Sequence, residues 1–108
     1  MELSLIGLTK YLRALDDSMS LHQLETLLMV GNAGPDGITM REIEKRMGCP
    51  NATLSRNISY WSKWRRQGKP GMDFVEAHID PSDRRYRIAR LTPKGKAFYN
   101  ELLRMMEG

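Results

Sequence analysis

The chain has 108 residues, 41% hydrophobic and 28% charged, with a formal net charge of +4. That length suits a single domain, 1–108, with a small core, and no apolar run approaches the ~18 residues a membrane span needs. Met1-Glu2-Leu3-Ser4 lacks the basic start of a signal peptide, and the lone Cys49 cannot close an internal disulfide, so a reducing cytoplasm is the expected compartment.

The charge is unevenly distributed. Residues 1–40 carry −3 and residues 97–108 carry −1, which leaves +8 on the stretch between them. A positive middle between acidic ends suggests one face for a polyanion and another for a different contact.

In chain order, Leu5, Leu8, Leu12 and Leu15 recur at three- and four-residue spacing. They predict a helix near 3–16 with one apolar stripe suited to a helix–helix seam, weakened slightly by Gly7. Asp16-Asp17-Ser18 breaks it. Ser20 with Gln23 is a capping box, and it opens a second helix whose expected buried face is Leu21, Leu24, Leu27 and Leu28. That helix ends near Gly31-Asn32-Ala33-Gly34.

Pro35-Asp36-Gly37 is a turn signal, and Ile38 is a candidate for a short strand. Thr39 with Glu42 reads as a second capping box, opening a short helix through Met47. Gly48-Cys49-Pro50 stops that helix. Asn51 is expected to cap the next one, which would run to about Arg66. Two short helices joined through a glycine form the helix-turn-helix pattern.

A loop over Gln67–Gly71 follows. Phe74–His78 and Tyr86–Leu91 read as antiparallel strands, with Asp80–Arg85 as the loop between them. Thr92-Pro93 then caps a last helix near 92–106, whose apolar face includes Phe98 and Leu102.

Placed at 100° per residue, the helix from Asn51 puts Leu54, Ile58 and Trp61 on one side and Ala52, Arg56, Ser59 and Lys63 opposite, flanked by Thr53, Ser55, Asn57 and Tyr60. Small residues allow close approach to a major groove, and Arg, Asn, Ser and Thr reach bases and phosphates. The bland alternative is a solvated polar face. The order of the elements, with a basic hairpin after this helix, favours DNA. The candidate contacts are Asn51, Ala52, Thr53, Ser55, Arg56, Ser59, Tyr60, Lys63, Arg84 and Arg85.

Asp80-Pro-Ser-Asp83-Arg84-Arg85 followed by Leu91-Thr92-Pro93-Lys94-Gly95 resembles the wing and following helix of the multiple-antibiotic-resistance regulator (MarR) family. Leu21-His-Gln23-Leu24, Leu27-Leu28, Ile38-Thr39-Met-Arg-Glu42-Ile43 and Thr53-Leu54-Ser55-Arg56 extend the likeness over roughly 20–96. The resemblance implies an α+β winged helix-turn-helix, about five helices with a two- to three-stranded wing.

It further implies a homodimer that binds double-stranded DNA at a pseudo-palindromic operator, with repression by promoter occlusion. Arg84 and Arg85 become the minor-groove candidates, with Asp83 orienting one of them. Dimerisation would use Leu5, Leu8, Leu12 and Leu15 with Phe98 and Leu102. Two departures stand out. The basic connection 64–73 is longer than the family's link, and the last helix is shorter, so no effector site is assumed.

Two rival functions are a winged helix that docks on an acidic protein and an architectural or partition-type DNA binder with little sequence preference. An enzyme has little behind it. His22 and His78 lack metal-ligand spacing, no nucleophile constellation is present, and no Gly-rich phosphate loop follows a strand. No cofactor or metal is expected, and Cys49 reads as a packing residue rather than a sensor.

Overall fold

The computed structural model describes residues 4–63 and 69–107. Along them the order is α1 (Ser4–Leu15), α2 (Leu21–Asn32), β1 (Ile38–Thr39), α3 (Met40–Met47), α4 (Asn51–Trp61), β2 (Val75–Asp80), β3 (Asp83–Leu91) and α5 (Pro93–Glu107). β3 lies between β1 and β2 in an antiparallel sheet. β1 meets it at Ile38↔Ala89 and Thr39↔Ile88. β2 meets it from Val75↔Leu91 to Asp80↔Asp83, with an irregularity at Ile79/Asp80. This is a winged helix-turn-helix.

Local chemistry sets the helix starts. The Ser20 hydroxyl accepts from the Gln23 amide, and the Gln23 side chain accepts from the Ser20 amide, so the box is complete. Thr39 accepts from the Glu42 amide at 3.1 Å. The expected second half of that box is replaced, because the Glu42 carboxylate takes the Arg46 guanidinium instead. Gly48 closes α3 in the left-handed conformation that glycine adopts without steric cost. Asn51 does not cap α4. Pro50 occupies that position without a side-chain bond, and Asn51 reaches Glu44.

Several expectations are corrected. On α2, Leu21 is 82% exposed and Leu28 is 39% exposed, and the buried residues are Thr26, Leu27 and Val30. Thr26 is turned inward because its hydroxyl donates to His22 and accepts from Asn57 of α4. α4 stops at Trp61 rather than near Arg66. The hairpin loop shrinks to a turn at 81–82, since both strands extend further than their apolar residues do. Residues 64–68 of the basic connection, including Trp64, Arg65 and Arg66, lie outside the described residues.

The core is aromatic. Trp61 is fully buried, and its ring centroid lies 6.0 Å from Phe74 and 6.1 Å from Phe98. Phe74 and Phe98 stack at 4.4 Å. α1 packs on α5 within the same chain, with Tyr11 stacked on Phe98. Leu12, Phe98 and Leu102, expected at a dimer seam, are therefore buried within the single chain. Leu8 is half-buried, while Leu5 and Leu15 stay exposed.

Phe74 ties the elements together. Its amide donates to Trp61 at 2.7 Å and its carbonyl accepts from Thr92 at 3.0 Å. The Thr92 hydroxyl donates to Asp73 and accepts from the Gly95 amide. A Cβ at Gly95 would sit 1.8 Å from the Phe74 carbonyl oxygen.

Gly95→Ala is therefore expected to destabilise by at least about 1–3 kcal/mol, because backbone must move. Gly7→Ala, whose Cβ meets nothing within 4 Å, should stabilise α1 by about 0.5–1 kcal/mol. Urea unfolding of both variants checks the pair, and similar midpoints would contradict the close approach at Gly95.

Candidate nucleic-acid interface

α4 is set by its inward side. Leu54, Ile58 and Trp61 are buried as its spacing predicts. Polar bonds also fix its rotation. The Trp61 indole donates to the Gln23 carbonyl at 2.6 Å. Asn57 donates to the Thr26 hydroxyl at 3.1 Å and to the His22 carbonyl at 3.4 Å. Asn57, placed on the flank by helical angle, is consequently buried, and Tyr60 on the other flank is buried as well.

Tyr60 is a correction to the contact set. It is 7% exposed, packed edge-on to Trp61, with its hydroxyl donating to Asp16. The loop after α1 folds over that side of α4, which angle alone does not reveal.

The remaining α4 residues face outward to different degrees. Asn51, Ala52, Ser55 and Arg56 are exposed, Thr53 and Ser59 are half-buried, and Lys63 is exposed just beyond the helix. Ser55, Ser59 and Lys63 line a hollow of about 530 Å³ between α4 and the sheet. A second hollow of about 410 Å³ has Asn51 and Ser55 on one side and Arg85 and Arg87 on the other. The first half of α4 and the wing strand thus face a common space.

The wing tip is organised by its two aspartates. Asp80 accepts from the Ser82 amide and hydroxyl, an Asx-type turn, and these bonds hold its carboxyl below the usual aspartate range. Asp83 accepts from Arg85 Nε at 3.1 Å and Nη2 at 2.9 Å. This bidentate pair lowers the Asp83 pKa and raises that of Arg85. The Arg85 side chain remains 79% exposed. Arg84 is exposed and forms no ion pair among the described residues.

One element of this surface has no signal in the sequence. Arg41 of α3 donates to the Tyr86 hydroxyl of β3 at 2.9 Å, and nothing local connects residues so distant along the chain. Cys49 is half-buried, and burial with the nearby Glu44 and Glu25 carboxylates pushes its thiol up, away from the reactive thiolate. Among the described residues no His, Cys, Asp or Glu group could hold a metal ion, and no helix is long and apolar enough to cross a membrane.

No family model and no curated protein matches the chain. Solved structures do. A mutant of MarR from E. coli superposes with a TM-score of 0.70 at 23% identity, covering 93% of this chain and 65% of that one. MepR from S. aureus, solved in complex with DNA, gives 0.69 at 18% identity over 95% and 78%. A MarR-like transcriptional regulator from Thermotoga maritima gives 0.64 at 23% identity over 99% and 77%. The chain spans 58% of a further MarR structure's length. The fold is that of the MarR winged-helix regulators.

Proposed function

We propose that the chain is a double-stranded DNA-binding transcriptional regulator, a single cytoplasmic domain that acts as a homodimer and represses by occupying a pseudo-palindromic operator. The observation that carries this reading is the common space between the exposed half of α4 and the arginine-bearing wing strand. α4 would enter a major groove and the wing the adjacent minor groove. MepR, similar in fold, was solved with DNA bound.

The geometry supports the following roles. Arg56, exposed on α4, is the candidate for base readout. Asp83 grips Arg85 with two bonds and leaves its remaining N–H groups facing solvent. A side chain held in this way loses less conformational freedom on binding, so Arg85 is assigned to the minor groove. Arg84 is assigned to the phosphate backbone. Exposed Leu5, Ile6, Leu15, Leu103 and Met106 on α1 and α5 supply the dimer contact in place of the buried leucines.

Selection of bound sequences from random duplex DNA tests the whole reading. A two-fold repeat with half-sites about one helical turn apart supports it. Equal retention of scrambled duplexes would instead assign an architectural role. On the selected site Arg56→Ala should cost about 1–3 kcal/mol and relax one base position. An equal loss on random DNA would remove base readout by Arg56.

Asp83→Ala separates positioning from bulk charge. Deleting a negative charge should tighten binding if only net charge mattered. If Asp83 holds Arg85, binding should weaken by several-fold, and titration by fluorescence anisotropy reads the sign directly.

The pH dependence has the same origin. A carboxyl whose folded pKa is lowered keeps its pair above the ordinary aspartate range, near 3.9. The pair is lost as pH falls through the lowered value. Affinity measured between about pH 5 and 8 should therefore show no step from Asp83.

A further inference from the structure

We infer that Arg41 and Tyr86, together with Arg87, form a seat for one DNA backbone phosphate between α4 and the wing. This rests on the DNA-binding reading above and adds residues from α3 and mid-β3 to the contact surface.

The seat is built rather than incidental. Arg41 stands in the first turn of α3 and Tyr86 in the middle of β3. The Arg41 guanidinium donates to the Tyr86 hydroxyl at 2.9 Å, with its carbon 5.2 Å from the ring centroid. The Arg85 guanidinium lies 5.5 Å from the same ring. Tyr86 is thus a half-buried platform with cations drawn to it. Its oxygen accepts from Arg41, so its own proton remains to be donated.

The charges around this space do not cancel. Arg41, Arg85 and Arg87 line the hollow of about 410 Å³. The carboxylate on its wall is Glu44, which accepts from Asn51 at 3.2 Å. Asp83 is engaged by Arg85. Arg41 and Arg87 form no ion pair among the described residues. Three guanidinium groups against the carboxylates of Glu44 and Asp83 leave one excess positive charge beside a concave space, carried by Arg41 and Arg87 once Arg85 is paired, which favours an anion with several acceptor oxygens.

Position selects the anion. When a helix occupies a major groove and a hairpin the adjacent minor groove, the strand separating those grooves runs between the two elements. The hollow lies there, with α4 residues Asn51 and Ser55 on one side and β3 on the other. A phosphodiester in it would meet the remaining Arg41 N–H groups, the Tyr86 hydroxyl and Arg87. Such contacts fix register without reading sequence. Arg41 and Arg87 are the contacts, and Tyr86 is also a positioning residue for Arg41. A purely structural brace between α3 and β3 would show the same bond, so the test must separate the two.

The experiment is anisotropy titration of labelled duplex DNA, random and selected, across a series of salt concentrations, with thermal unfolding of each variant. Arg41→Gln should weaken binding about tenfold on both duplexes and reduce the log–log salt slope by about 0.9 per protomer. Tyr86→Phe, which retains the ring and every charge, should weaken binding about threefold while leaving the slope nearly intact. Arg13→Gln removes an equal charge from an α1 residue paired with Asp17 and should leave the slope unchanged.

If Arg41→Gln binds DNA with wild-type affinity and slope, the seat does not exist. If it lowers the melting temperature alone, the contact is a brace and the inference is overturned. An equal fall in slope for Arg13→Gln would reduce the effect to net charge. Failure of the wild-type protein to retain any duplex at low salt would remove the DNA-binding reading itself, an outcome distinct from all of these.

Discussion

The arrangement depends on the backbone of Phe74. Its amide is bonded to the end of α4 and its carbonyl to Thr92, the residue just before α5. Gly95 lies against that same carbonyl. Beyond α4, Gly71 and Asp73 continue the fastening by donating to Lys63 and Ser62. Asp73 accepts a positive φ of 60° to make the turn, an orientation aspartate tolerates better than most side chains. The helix, the return of the chain and the start of the closing helix are therefore joined through main-chain bonds, which side-chain motion cannot easily undo. The aromatic rings of Trp61, Phe74 and Phe98 then fill the space that this geometry encloses.

Features written in local chemistry were legible from the residues. Ser20-x-x-Gln23 and Thr92-Pro93 mark helix starts because a cap needs only residues three apart. Gly48 marks a helix end for the same kind of reason. Leu54, Ile58 and Trp61 repeat at the helical period and are buried together. The winged-helix architecture was readable because these signals occur in a telling order.

What escaped depends on distant partners. Thr26 is buried and Leu21 exposed because Asn57, from another helix, satisfies a threonine hydroxyl inside the fold. Periodicity ranks residues by hydrophobicity and cannot anticipate a bond made across 31 residues. Tyr60 follows the same rule, since the loop carrying Asp16 decides which way it turns. The length of the wing strands escaped for a different reason. Asp83, Arg84 and Arg85 have polar side chains suited to a turn, yet Asp83 pairs with Asp80 while Arg84 and Arg85 lie in the irregularity between that pair and Ile79↔Arg87, which is a property of backbone and register. Leu12, Phe98 and Leu102 carry the apolar signature of a seam, but hydrophobicity does not distinguish packing within a chain from packing between chains.

The bonds from α4 to α2 have a consequence for how the surface is aimed. A helix lying on an apolar ridge alone can roll through several degrees, because hydrophobic contact has little directionality. α4 is held by hydrogen bonds from Asn57 and Trp61 to the backbone and side chains of the first turns of α2, and these weaken steeply off-axis. Its azimuth is therefore inherited from α2. In a duplex-bound complex the compass bearing of Arg56 would be set by residues that never approach the nucleic acid, and α2 would act as the gunsight rather than as a passive support.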